Sequence, residues 1–129
     1  MTGRPRSKLG PRPGVVLSTT VRDGVDAAVR RYRELRETDS DSCDFSERQL
    51  NRAGYQLLRA GRTTDAIRVF ELNVEMFPDA FNTYDSLGEA YMVAGETERG
   101  IDNYEKSLEL NPENENAVEM LRQLRKAQE

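Results

Sequence analysis

One stretch of the sequence repeats its own pattern at a fixed distance. When residues 47–80 are placed over residues 81–114 without a gap, eight positions are identical. Matches from one short motif would cluster, whereas these are spread along the unit. The spread indicates duplication of a whole supersecondary unit of 34 residues. The identical pairs are Gly54/Gly88, Ala60/Ala94, Gly61/Gly95, Thr63/Thr97, Ile67/Ile101, Glu71/Glu105, Glu75/Glu109 and Pro78/Pro112.

The first unit reads as two helices joined by a turn. Its first helix is predicted to follow Ser46, because Gln49 stands three positions later as the partner in a capping box. Gly61 supplies the permissive residue at the end of that helix. A second helix is predicted over about residues 63–76, ending before Pro78.

The second unit has the same layout, with helices predicted near residues 81–94 and 97–110. A glycine occupies the same interior position in the first helix of both units, as Gly54 and Gly88. Glycine in a helix interior costs about 1 kcal/mol relative to alanine. Its recurrence therefore predicts a close approach between neighbouring helices.

The recurring markers resemble those of the tetratricopeptide repeat (TPR) family. Where that family's pattern has Trp, this chain has Leu50 and Tyr84, and the small residue of the second helix is Ala66 or Gly100. These positions still hold an apolar or a small side chain, so the same packing between the helices is expected. The resemblance implies an all-α, right-handed stack of antiparallel helix-turn-helix units. The markers are Leu50, Ala53, Gly54, Leu57, Ala66, Phe70 and Pro78, then Tyr84, Leu87, Gly88, Tyr91, Gly100, Tyr104 and Pro112.

Flanking helices are expected to complete the stack, since at least about three units are usually needed for stability. A helix over about residues 21–37, capped by Thr20, resembles the second helix of a degenerate repeat. At the other end, Asn114 is expected to cap a last helix over 115–128. The predicted organisation has about six helices. It comprises a disordered basic arm (1–18), a half-repeat with an acidic loop (19–46), two repeats (47–80 and 81–114) and a capping helix (115–128).

Histidine, the usual general base of enzymes and the commonest metal ligand, is missing. The chain has no histidine and one cysteine, Cys43, which excludes histidine-based catalytic groups and a cysteine metal site. Asp39, Asp41 and Asp44 alternate, but Asp44 and Leu50 stand where a calcium loop needs Gly and Glu. We therefore expect a noncatalytic protein without cofactor or metal.

Charge is distributed unevenly along the chain. Residues 1–20 carry four basic side chains and no acidic one, whereas residues 21–129 carry 15 basic and 23 acidic ones. The acidic body argues against nucleic acid as a partner, because it repels phosphate. No apolar run reaches the roughly 20 residues that cross a bilayer. We expect no membrane partner, a cytoplasmic location, and a monomer or weak homodimer.

The TPR resemblance implies a peptide-binding or protein-binding groove lined by the first helix of each unit. The positions of the family's clamp for chaperone C-terminal carboxylates hold Asn51, Tyr55, Ser86, Asn116 and Met120, so that ligand is not expected. The sequence of residues 44–58 and 84–91 is similar to that of helical tails appended to bacterial serine hydrolases. The alternative function is therefore an accessory module of a larger hydrolase, inactive by itself. The candidate groove residues are Arg48, Asn51, Arg52, Tyr55 and Arg59, with Asn82, Asp85, Ser86, Glu89 and Met92.

Overall fold

The computed structural model describes residues 14–38 and 46–128. Within those ranges every regular element is an α-helix, which confirms the predicted all-α class. From residue 47 onward, the helices lie within about a residue of their predicted bounds. The helices are α1 (Gly14–Asp23), α2 (Val25–Thr38), α3 (Glu47–Arg59), α4 (Thr63–Met76), α5 (Phe81–Val93), α6 (Thr97–Leu110) and α7 (Glu115–Ala127).

Local signals at the helix ends explain this agreement. The Ser46 hydroxyl accepts a hydrogen bond from the backbone N–H of Gln49 at 3.1 Å, as expected of an N-cap. Gly61 and Gly95 both have φ of 81°, a conformation that glycine adopts without a steric penalty. The next residue then donates its backbone N–H to a carbonyl five residues back, over 2.9 Å in both units. This arrangement ends α3 and α5 in the same way.

The N-terminal region differs from the prediction of one helix that begins after Thr20. Two helices are present, because Gly24 has φ of 98° and interrupts the regular backbone between α1 and α2. Thr20 is not a cap but a fully buried residue inside α1, and its hydroxyl donates to the carbonyl of Val16 at 2.7 Å. Val16, Thr19 and Thr20 share the buried side of α1 at helical spacing.

This finding raises the number of helices from six to seven over the described ranges and makes residues 14–18 of the predicted arm helical. It also replaces the predicted half-repeat by two helices that pack against each other. The rest of the predicted basic arm, residues 1–13, lies outside the described residues. So does the segment 39–45 of the predicted acidic loop.

The chain divides into two compact units at residue 69, within α4. In the first unit, α1 packs against α2 and against α3. The buried apolar residues of this unit are Val16, Ala28, Val29, Tyr32, Leu50, Ala53, Leu57, Ala66 and Val69.

In the second unit, α5 packs against α6, and α6 packs against α7. Four buried side chains form a core with half-buried apolar neighbours from α5 to α7 around them. The helix α7 thus covers α6, although Val118 of its apolar stripe is 50% exposed. The buried four are Tyr104, Ala117, Leu121 and Leu124.

The predicted close approach is present at Gly88. A methyl group placed there would lie 3.2 Å from two ring carbons of Tyr104 and 3.3 Å from the carbonyl oxygen of Gly100. The contact is reciprocal, since a methyl group at Gly100 would lie 3.3 Å from the carbonyl oxygen of Gly88. The two glycines therefore let the backbones of α5 and α6 meet. For Gly54, which is buried, a close approach stays a prediction.

The variant Gly88→Ala is expected to lower the free energy of unfolding by about 1 kcal/mol, despite alanine's higher helix propensity. The reason is crowding against Tyr104, a 1% exposed residue whose ring would have to shift by a few tenths of an ångström to admit the methyl group. A double-mutant cycle with Tyr104→Leu, followed by urea denaturation, isolates this crowding. Additive effects in the cycle would show that the ring and the new methyl group do not clash.

Candidate functional site

The candidate residues of the first unit form one exposed face of α3. At about 100° per residue, Arg48, Arg52 and Arg59 fall within roughly 40° of one another around the helix axis. All three side chains are exposed. Tyr55 and Asn51 are half-buried at the edge of the same face. We call Arg48, Arg52 and Arg59 the arginine face.

The arginine face differs from most of the other cationic side chains. Of the fifteen lysines and arginines in the described ranges, ten take part in an ion pair, hydrogen bond or other electrostatic contact. Five have no such contact with any described residue, and three of these five are the arginine face. The other two, Arg30 and Lys126, lie on separate helices. Among the described residues, positive charge without an ion pair or hydrogen bond is thus concentrated on α3.

The candidate residues of the second unit lie on α5, and the structure gives them unequal access to solvent. Asn82 is exposed, and Glu89 and Met92 are half-buried. Asp85 and Ser86 are only 9% and 2% exposed. The last two were predicted as groove residues from their position in the repeat. Their role in binding a ligand stays a prediction.

Asp85 is held in a polar network that joins α5 to α7. Its two carboxylate oxygens accept hydrogen bonds from the side-chain amides of Asn114 at 2.8 Å and Asn116 at 2.9 Å. The amide of Asn114 also contacts the Ser107 hydroxyl at 2.9 Å, and that hydroxyl donates to the backbone carbonyl of Phe81 at 3.0 Å. Both oxygens of this carboxylate are therefore engaged inside the protein.

Asn114 has a second function in this network. Its side-chain oxygen accepts from the backbone N–H of Ala117 at 3.4 Å, which confirms the predicted N-cap of α7. One asparagine thus starts the last helix and ties that helix to α5. The sequence carried part of this signal, since two asparagines flank the start of α7. Their partner Asp85 lies about thirty residues earlier, beyond the reach of a local pattern.

A second cluster in this unit was not predicted. The hydroxyl of Tyr91 donates to the Glu71 carboxylate at 2.9 Å, and the guanidinium of Arg99 lies 5.7 Å from the centre of the Tyr91 ring. Burial raises the pKa of Tyr91 above its ordinary value, and the hydrogen bond to Glu71 raises the pKa further, against a smaller opposing effect of Arg99.

We expect Tyr91 to ionise above pH 10, the ordinary value for tyrosine. The unfolded chain then loses this proton first, so the stabilisation is complete below about pH 10 and is lost as the pH rises through the folded pKa. A tyrosinate absorbance titration of the wild type against Tyr91→Phe measures that pKa. The variant Glu71→Gln should lower the pKa of Tyr91. An unchanged or higher pKa would contradict the effect assigned to Glu71.

Metal sites, membrane spans and grooves are the other features to consider in the described part of the chain. No group of three or more His, Cys, Asp or Glu side chains is placed to hold a metal ion there. Over the same residues, no helix is long and apolar enough to cross a membrane. A groove of about 570 Å³ is formed by residues of α6 and α7, which are Leu108, Val118, Leu121, Arg122, Arg125 and Lys126.

Comparison with known sequences gives one partial relative. No family model matches the chain. Human Superkiller complex protein 3 is 36% identical over 62 residues, which are 48% of this chain and 4% of that protein. The chain thus matches a small part of a much longer relative.

Comparison with solved structures gives matches over most of the chain. MamA has a TM-score of 0.60 at 21% identity, over 86% of this chain and 63% of MamA. The first TPR of Spaghetti (RPAP3), bound to the HSP90 peptide SRMEEVD, has a TM-score of 0.61 at 21% identity, over 85% of this chain and 84% of that one. The first TPR domain of human RPAP3 has a TM-score of 0.62 at 21% identity, over 90% and 94% of the two chains.

Proposed function

We propose that this chain, which has the tetratricopeptide-repeat fold, is a noncatalytic protein-interaction module that holds a peptide segment of a partner protein. The observation that carries the proposal is the exposed face of α3, where three arginines without a described partner stand beside Tyr55. An exposed row of like charges has no stabilising effect on a helix by itself. Such a row is accounted for by a ligand of opposite charge.

The face of α3 in the first unit and the face of α5 in the second unit are each proposed as a binding surface. Aromatic and arginine side chains often dominate the binding energy at protein interfaces, which favours Tyr55 and Arg52 on α3. Glu89 and Asn82 are the accessible polar candidates on α5. One structural neighbour is bound to a peptide, which supports a peptide ligand for a fold of this size. We expect no clamp for a C-terminal carboxylate here, because its positions hold other residues, among them Asn51 and Ser86.

Selection from a random peptide library displayed on phage tests the function. The intact chain should enrich peptides whose binding is lost in the variant Tyr55→Ala combined with Glu89→Ala. A matched control is Tyr84→Ala combined with Glu105→Ala, which removes the same two residue types elsewhere and should retain binding. If the first variant binds the selected peptides as well as the wild type does, the assignment to these faces is wrong. If no peptide is enriched, the function itself is wrong.

The alternative function is an accessory module of a serine hydrolase. It is suggested by the resemblance of residues 44–58 and 84–91 to the sequences of hydrolase tails. In that case a catalytic domain on the same polypeptide would cover the α3 face. An intact hydrolase reading frame next to this coding sequence would support the alternative, and its absence would reject it. With one cysteine in the chain, we expect a reducing, cytoplasmic location.

A further inference from the structure

We propose that the arginine face of α3 binds a short, extended, acidic segment of the partner through the side-chain carboxylates of that segment. This inference rests on the proposed function and names its ligand class. It is carried by the placement of Arg48, Arg52 and Arg59, which are exposed, share one side of α3 and have no partner among the described residues.

The pattern of ion pairs in the rest of the molecule sets this face apart. Elsewhere in the described ranges, most arginines form an ion pair with a carboxylate three residues away or on another helix, as in Arg62–Asp65 and Arg68–Asp26. The helix α3 has one acidic residue, Glu47, which lies at its first position and about 100° from Arg48 around the axis. The charge of the arginine face is therefore not neutralised from within α3.

The spacing of the three arginines fits an extended peptide. With a rise of 1.5 Å per residue, Arg48 and Arg52 start about 6 Å apart along the axis, and Arg48 and Arg59 about 16 Å apart. An extended peptide advances about 3.3 Å per residue, so these distances correspond to about two and five residues. Tyr55, which is half-buried, lies between Arg52 and Arg59 along the axis and is the aromatic residue next to which an apolar side chain of the ligand would pack.

The chemistry of the guanidinium group favours carboxylates on a peptide over nucleic acid. Arginine binds a carboxylate or a phosphate through two parallel hydrogen bonds. A nucleic acid would also face the rest of the chain, where residues 21–129 carry an excess of acidic over basic side chains, 23 to 15. An acidic segment of a few residues matches the three charges of the arginine face, whereas a long polyanion carries many more charges, which the net negative charge of the chain repels.

The test uses the intact chain and a labelled synthetic peptide with glutamates at its first, third and sixth positions and leucine or alanine between them. Binding is followed by fluorescence anisotropy at low and raised salt. A peptide with glutamine in place of each glutamate is the ligand control. The protein variants are Arg48→Gln combined with Arg52→Gln and, as a control of equal charge change, Arg30→Gln combined with Lys126→Gln. Because all four positions are exposed and glutamine favours the helix, both variants should fold, which circular dichroism checks.

The acidic peptide should bind, and its affinity should fall as the salt concentration rises. The affinity should be the same with a free or an amidated C-terminus. Each lost arginine should reduce affinity about threefold, so that the α3 double variant binds about tenfold more weakly and the control variant within about twofold of the wild type. Equal binding of the glutamine peptide, equal losses in the two variants, or a requirement for the free C-terminus would each overturn the inference. So would tighter binding of a single-stranded RNA oligonucleotide through the same arginines.

The library selection separates this inference from the proposed function. Enrichment of acidic peptides that lose affinity both in the α3 double variant and in the Tyr55→Ala, Glu89→Ala variant supports both. Enrichment of neutral or basic peptides that depend on Tyr55 and Glu89 overturns the acidic ligand and leaves the interaction module standing. Failure to enrich any peptide overturns both.

Discussion

Replacing Tyr104 by alanine should lower the free energy of unfolding by about 3–5 kcal/mol, the range for truncating a large buried aromatic side chain. Tyr104 is 1% exposed, belongs to the core of the second unit and packs its ring against the backbone at Gly88. The truncation would remove apolar contacts from α5, α6 and α7 together. Because small domains are stable by only about 5–15 kcal/mol, a large part of the chain's stability would be lost.

The control for Tyr104→Ala is Tyr84→Ala, which removes the same side chain from a half-buried position. The variant Tyr84→Ala loses one hydrogen bond, from the tyrosine hydroxyl to the carbonyl of Pro78 at 2.8 Å, but the truncation leaves no enclosed cavity. We expect a loss of about 1–2 kcal/mol. Urea denaturation followed by circular dichroism measures both variants. Equal losses would show that the core of the second unit is not centred on Tyr104.

The second large effect is expected for Asp85→Ala, at about 2–3 kcal/mol of unfolding free energy. The variant removes the acceptors of two side-chain amides and leaves the amide of Asn114, a residue only 9% exposed, with one contact instead of two. Because Asn114 also caps α7, this helix should fray first. Hydrogen exchange at the backbone amides of α7 would then be faster than in the wild type.

Asp102→Ala is the matched control for Asp85→Ala, since it removes an exposed aspartate from α6. It should change the free energy of unfolding by less than about 0.5 kcal/mol. A similarly small change in Asp85→Ala, with unchanged exchange in α7, would contradict the structural role of the Asp85 network. Loss of peptide binding at unchanged stability would instead return Asp85 to the binding surface.

Most of the fold could be predicted from sequence because its signals are local. Caps and turn glycines allow the backbone groups at a helix end to be paired within a few residues, so their positions define where helices begin and end. These residues are Ser46 with Gln49, Gly61, Gly95 and Asn114. The N-terminal helices were harder to predict, because a threonine such as Thr20 can either cap a helix or lie buried inside one. The packing of α1 against α2 and α3, which buries Thr20, is a tertiary fact.

The candidate site could be predicted only in part, for a related reason. The repeat register placed Arg48, Arg52 and Arg59 on α3, and their exposure is consistent with that placement. For Asp85, the register could not reveal its hydrogen bonds to Asn114 and Asn116, which join residues far apart in sequence. The predicted mixture of charges therefore stays a prediction, in which Asp85 is buried and Glu89 is the half-buried acidic member.

Chemical-shift mapping by heteronuclear NMR tests the central claim most directly, with the acidic peptide titrated into the intact, isotope-labelled chain. The account predicts that the perturbed signals include the backbone amides of α3 and the guanidinium groups of Arg48, Arg52 and Arg59. The control signals are those of Arg30 and Lys126, which should stay in place. Perturbations confined to α2, α6 or α7, with α3 unchanged, would contradict the claim.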